Sequence, residues 1–315
     1  MGSRAKFLFT LLSVIVLFSV CMFACDNSDD KKSAEQYDTD KFVNCTESEQ
    51  AFVDYIKKID ELEKLSESYK KDNNTQIRVA NYIRSVGYDD ANWDIAAGVV
   101  DEDFRSYVKN TKPELEVLRT IKEITINDNV KIDLIHMWVA IACMLYTNND
   151  MAYATLTGWG GDTCQFAAAY KASDAVEDDE IAPIIEKYFG WADFYADVDA
   201  VNIYAHYKTV TSHKLSSAMV RYYLMVFDHG EENSEAMKTR KILYLYNVFG
   251  ITQSEDEPVS QEKKAQLIEY MYQCIKRNGF LVIWGHDPDH YLSIMDDVEF
   301  IKYGIEHAFL DRILL

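Results

Sequence analysis

Asp133 and His136 stand three residues apart in the apolar run IDLIHMWVAIACMLY and are its only charged or imidazole side chains. On a helix this spacing puts both on one face. There a carboxylate can orient an imidazole as a general base or as a ligand. Ala140 and Cys143 continue that face and leave room beside the ring. The plainer account of the pair is an acid at the positive end of a helix and a histidine satisfied within the core.

Three further stretches carry residue types suited to chemistry. Gly158, Gly160 and Gly161 surround Trp159 directly before Asp162. Such a loop lets backbone approach a ligand closely at Trp159, Gly160 and Gly161, with Asp162 as acid, base or ligand group. A tight turn in which Asp162 caps the next helix fits equally well. The pattern is neither the P-loop nor the dinucleotide glycine motif.

In the run DFYADVDAVN, Asp197 borders an apolar stripe of Phe194, Val198, Val201 and Ala205. A carboxylate there must find a partner or shift its pKa. Asp199 and Asn202 align with His206 on another face, facing water or a ligand. Asp162, Asp197 and His136, with Asp133 orienting the histidine, are thus the catalytic set a hydrolase would use, two carboxylates being the glycosidase pattern. His286 and His290, with Asp287 and Asp289 between them, could hold a divalent metal. Pro288 opposes a continuous helix there, and a polar loop is the alternative. No other cofactor is expected. The HExxH, nucleophile-elbow and catalytic-cysteine signatures are absent from the sequence.

The elements that must position these residues are helices. Phe52, Tyr55, Ile56, Ile59, Leu62 and Leu65 recur at helical spacing and predict a helix over about 47–69. Thr75 can cap a second, and Pro113 suits the first turn of another. EITINDNVKI reads as a short strand or an extended connector. After it comes the most apolar helix, about 130–146, expected at the centre of the fold. Further helices are expected over 162–172, 181–189, 192–208, 215–227, 235–249, 262–277 and from 298 onward. About eleven helices make an all-α, single compact domain over 46–315. The tyrosines and tryptophans sit among aliphatics at helical spacing, which marks core; an aromatic shelf for carbohydrate is the sharper alternative.

The N-terminus is an address. Arg4 and Lys6 precede an apolar run from Phe7 to Ala24, and Asp26, Asp29 and Asp30 follow it. This is the pattern of an exported segment, so the body is expected outside the cytoplasm. Met22-Phe23-Ala24-Cys25 resembles the lipobox of bacterial lipoprotein precursors, although that family favours leucine and a small residue where Met22 and Phe23 stand. The resemblance covers residues 1–25 and implies lipidation at Cys25, hence a membrane anchor. Cleavage after Ala24 without lipidation, or retention of the segment, are the alternatives. Residues 25–45 then form a polar, acidic tether.

With 32 basic and 52 acidic side chains the formal charge is −20. Loss of residues 1–24 would remove two cations and no acid. That charge argues against nucleic acid as a partner and against adsorption to anionic lipid. A cell-surface polymer or protein is the expected ligand. Cys45, Cys143, Cys164 and Cys274 make no CxxC pair, so a sulfur-ligated zinc is not expected.

Overall fold

The helical stripes set the architecture. In the computed structural model, residues 47–84, 101–126, 130–146, 170, 172–173, 178–188, 190–228, 233–254, 257–283 and 298–314 are described. They lie in one compact unit, Tyr37–Leu315. The fold is all-α, as the periodicity predicts. Helix α1 (Glu47–Tyr69) buries all six residues of its apolar stripe. Asp72 stops it: its Oδ1 accepts from the Asn74 N–H at 2.9 Å and from Arg78 Nη1 at 2.6 Å. Arg78 also donates to the carbonyls of Ser66 and Lys70, clasping α1 to α2 (Thr75–Arg84).

Helix α3 (Glu102–Thr111) is capped by Asp101 and followed by a 3₁₀ segment, Pro113–Arg119, in place of the α-helix that Pro113 predicts there. Then strands β1 (Glu123–Ile126) and β2 (Val130–Asp133) pair antiparallel, with Ile124 opposite Ile132. The apolar helix therefore begins later than position 130: α4 spans Leu134–Tyr146. Ladder pairing claims residues 130–133, and Asp133 ends the strand by capping the helix.

The order continues through α5 (Asp178–Tyr188), α6 (Trp191–Tyr207), α7 (Leu215–Asp228), α8 (Asn233–Phe249) and α9 (Gln261–Ile283). Gly250 closes α8 at φ 63°, a left-handed conformation that suits glycine, and its N–H donates to the Tyr246 carbonyl. Helix α9 runs on past Arg277 and through Gly279 to Ile283, the glycine costing it only about 1 kcal/mol. A C-terminal run follows: α10 (Val298–Gly304), a π segment (Ile305–Leu310) and a last turn, α11 (Asp311–Ile313).

The most enclosed helix is α6 rather than α4. Every residue from Phe194 to Tyr204 is buried, and α6 packs against α4, α7, α8 and β2. Helix α4 buries Met137, Trp138, Ala140, Ile141 and Met144 but leaves Ile135, His136 and Val139 half-buried. That open edge is where His136 meets solvent. Among the described residues no helix is long and apolar enough to cross a membrane.

One buried and one half-buried group give the fold a pH signature. Glu63 of α1 acts as a remote cap for α7, accepting from the Leu215 N–H at 2.6 Å, the Ser216 N–H at 3.3 Å and the Ser216 hydroxyl. Burial pushes its carboxyl up to about 7 despite those donors and Lys214. Burial pushes the His206 imidazole down to about 4, with Arg221 adding to the effect. The two slopes oppose each other. Folded Glu63 holds a proton that the unfolded chain releases from about pH 4.5, so its contribution falls as pH rises to 7. Folded His206 refuses a proton that the unfolded chain binds below about 6.5, so its contribution is complete above 6.5 and is lost as pH falls towards 4. In urea unfolding, Glu63→Gln should make stability rise more steeply with pH over this window than in the wild type. His206→Gln should make it rise less steeply or fall. Identical pH profiles in all three proteins would contradict this assignment.

Candidate functional site

Asp133 sits where β2 gives way to α4, and its two oxygens do different work. Oδ1 accepts from the backbone N–H of Ile135 at 2.8 Å and of His136 at 3.1 Å. Oδ2 lies 3.2 Å from His136 Nδ1. The helix cap and the oriented histidine, set against each other in the sequence, are thus both true of this one residue. A second carboxylate arrives from the first turn of α6: Asp193 Oδ1 is 3.4 Å from the same nitrogen. One atom from each of Asp133, His136 and Asp193 lies within 4.8 Å of the others.

The electrostatics of the two acids differ. Burial pushes both carboxyls up. At Asp133 the imidazole and the two backbone N–H donors outweigh burial, so its carboxyl sits below the ordinary value. At Asp193 burial wins, with Asp133 and Glu186 adding like charge, and the carboxyl sits above the ordinary value. The histidine side chain is 37% exposed, while its Nδ1 is buried.

The first turn of α6 also carries an aromatic and cationic patch. Trp191, two residues before Asp193, is 44% exposed. The C-terminal run brings the Arg312 guanidinium to 4.4 Å from its ring centroid. Arg312 Nη2 lies 3.4 Å from Glu186 Oε2 of α5. Trp191 also stacks with Tyr195, the ring centroids 5.7 Å apart. Four segments therefore meet here: the β2–α4 junction, α5, the start of α6 and the C-terminus.

Of the residues singled out in the sequence, His136 and Asp133 belong to this face. Asp197 is 3% exposed, one turn along α6 from Asp193. The acid beside His136 is therefore Asp193, which sequence reasoning passed over in favour of Asp197. Its position in the first turn after Gly190 was the available signal.

Asp199 and Asn202, expected to face water or a ligand, do neither. Both are fully buried. Asp199 Oδ2 accepts from Arg240 Nη2 at 2.6 Å and from the Tyr223 hydroxyl at 3.0 Å, and Oδ1 accepts from the Tyr222 hydroxyl at 2.5 Å. Asn202 Nδ2 donates to the Arg240 carbonyl at 3.1 Å, and its Oδ1 accepts from Asn247 Nδ2 at 2.9 Å. The reason is Arg240, which α8 sends inward from the polar run MKTRK; nothing in that run distinguishes it from Lys238 or Lys241. Trp159, Gly160, Gly161 and Asp162, His286 and His290, and Cys25 lie outside the described residues.

Residues 136–250 match the model of the YkzU uncharacterised protein family. The match opens at His136 and closes at Gly250, so it takes in Asp193, Asp199 and Arg240 and leaves out Asp133 and Arg312. No curated protein and no solved structure matches the chain.

Proposed function

We propose that this chain is an exported surface protein, anchored through a lipid on Cys25, whose all-α body binds a ligand at the face carrying Trp191 and His136. The observation that supports binding is the exposed indole of Trp191, which opens α6 two residues before Asp193 and carries the Arg312 guanidinium on its ring. A partly exposed indole with one cation and several acids nearby suits a polar polymer or a protein loop, through apolar contact and hydrogen bonds together. The acidic body is repelled by phosphate-rich nucleic acid and anionic lipid, leaving the acyl chain to supply membrane attachment.

The anchor is tested by growing bacteria that express the chain with a clickable palmitate analogue. The full chain should take up label and fractionate with membranes, and Cys25→Ser should do neither. Equal labelling of Cys25→Ser, or no labelling of the wild type, would contradict the proposal.

A hydrolase of cell-wall or other surface polymers is the second reading, favoured by the 3.2 Å approach of Asp133 to His136 Nδ1, which suits an oriented general base. It requires release of soluble fragments from a dye-labelled polymer, abolished in His136→Ala.

A further inference from the structure

We infer that Asp133, His136 and Asp193 form a binding site for one divalent transition-metal ion, zinc or a close neighbour in its series. This rests on the surface-binding reading only for where the ion's remaining ligand comes from. The argument is geometric. Metal bonds to imidazole nitrogen and carboxylate oxygen run about 2.0–2.2 Å, which sets adjacent donor atoms roughly 2.8–3.6 Å apart for angles between octahedral and tetrahedral. His136 Nδ1 lies 3.2 Å from Asp133 Oδ2 and 3.4 Å from Asp193 Oδ1.

The same nitrogen faces both acids, and the acids belong to different elements. Asp133 is fixed by the α4 cap and the Asp193 carboxyl accepts from the Gly190 backbone N–H, so the donors are held in place before any ion arrives. The cap uses Asp133 Oδ1 and leaves Oδ2 for the ion.

Donor type selects the metal. One imidazole with two carboxylates suits zinc, manganese or iron better than calcium or magnesium, which prefer oxygen alone. Binding through Nδ1 requires the histidine proton on Nε2. Three protein donors leave at least one coordination position, and the half-buried setting opens it to water or to a donor atom of the surface ligand. The ion would also relieve the repulsion between two acids facing one imidazole.

The test uses the purified full chain in detergent, stripped with a chelator and titrated with zinc chloride by calorimetry. The wild type should bind one ion in a saturable step. Asp193→Asn, His136→Gln and Asp133→Asn should each weaken binding roughly tenfold or more. Asparagine at 133 still caps α4, so that variant separates metal binding from folding. A double His286→Ala/His290→Ala variant should bind as the wild type does. As a second readout, zinc should raise the melting temperature of the wild type and not that of Asp193→Asn. Absence of saturable binding, binding unaffected by Asp193→Asn and His136→Gln, or loss of binding in the His286/His290 variant would each overturn the inference. The palmitate experiment is independent, so lipidation can stand or fall separately.

Discussion

Replacing Arg240 with methionine should destabilise the fold by about 3–5 kcal/mol, because it strands a buried carboxylate. Arg240 is 1% exposed and Asp199 is fully enclosed. Two tyrosine hydroxyls would remain on Asp199, but hydroxyl dipoles do not replace a full positive charge in an apolar surround. The guanidinium also lies 4.9 Å from the Tyr195 ring centroid, so methionine forfeits a cation–π contact while keeping much of the side-chain volume. Adding Asp199→Asn to Arg240→Met removes the orphaned charge and should recover a large part of the loss. Urea denaturation of the two single variants and the double variant measures this as a coupling energy. Additive losses would show that the pair is not the unit described. The expected consequence reaches the candidate site, since this pair locks α6 to α8 and α6 carries Asp193.

The second large effect is expected at Trp138. It is fully buried on α4, and its indole N–H donates to the Tyr55 hydroxyl of α1 at 2.6 Å. Trp138→Ala should cost about 3–5 kcal/mol through the lost burial and the cavity left behind. Trp138→Phe should cost less, about 1–3 kcal/mol, mostly from leaving the Tyr55 hydroxyl buried without its donor. Denaturation midpoints for both variants decide the ranking. A loss in Trp138→Phe equal to that in Trp138→Ala would mean the hydrogen bond, rather than packing, seats α4 on α1.

The helices were legible because their apolar residues repeat at 3.6-residue spacing and little competes with that pattern. Helix α1 follows its stripe, and Gly250 ends α8 where a left-handed residue is needed. The start of α4 was less legible. Residues 130–133 fit a helix locally, and only pairing with residues 123–126 makes them a strand. Local pattern carries no information about such a partner.

Within the site, His136 and Asp133 were visible since their contact is local, three residues apart across the β2–α4 junction. Asp193 was not, because its distance to His136 is set by how α6 packs on α4. Asp199 shows the same limit in reverse. Its spacing with Asn202 marks a polar face, but whether that face meets water or an arginine from α8 depends on the packing of α6. Trp191 and Arg312 are 121 positions apart in the chain and meet only through the C-terminal run.

The most direct measurement of the face formed by α4 and α6 is the nitrogen spectrum of the seven histidine rings during addition of one equivalent of zinc. His136 is assigned by its absence from the His136→Gln spectrum. Its Nδ1 signal should move as zinc is added and reach its limit at one equivalent, with Nε2 carrying the proton once zinc is bound. If the His136 ring stays unmoved while another histidine shifts, the ion binds elsewhere and this face is not where the protein takes up the metal.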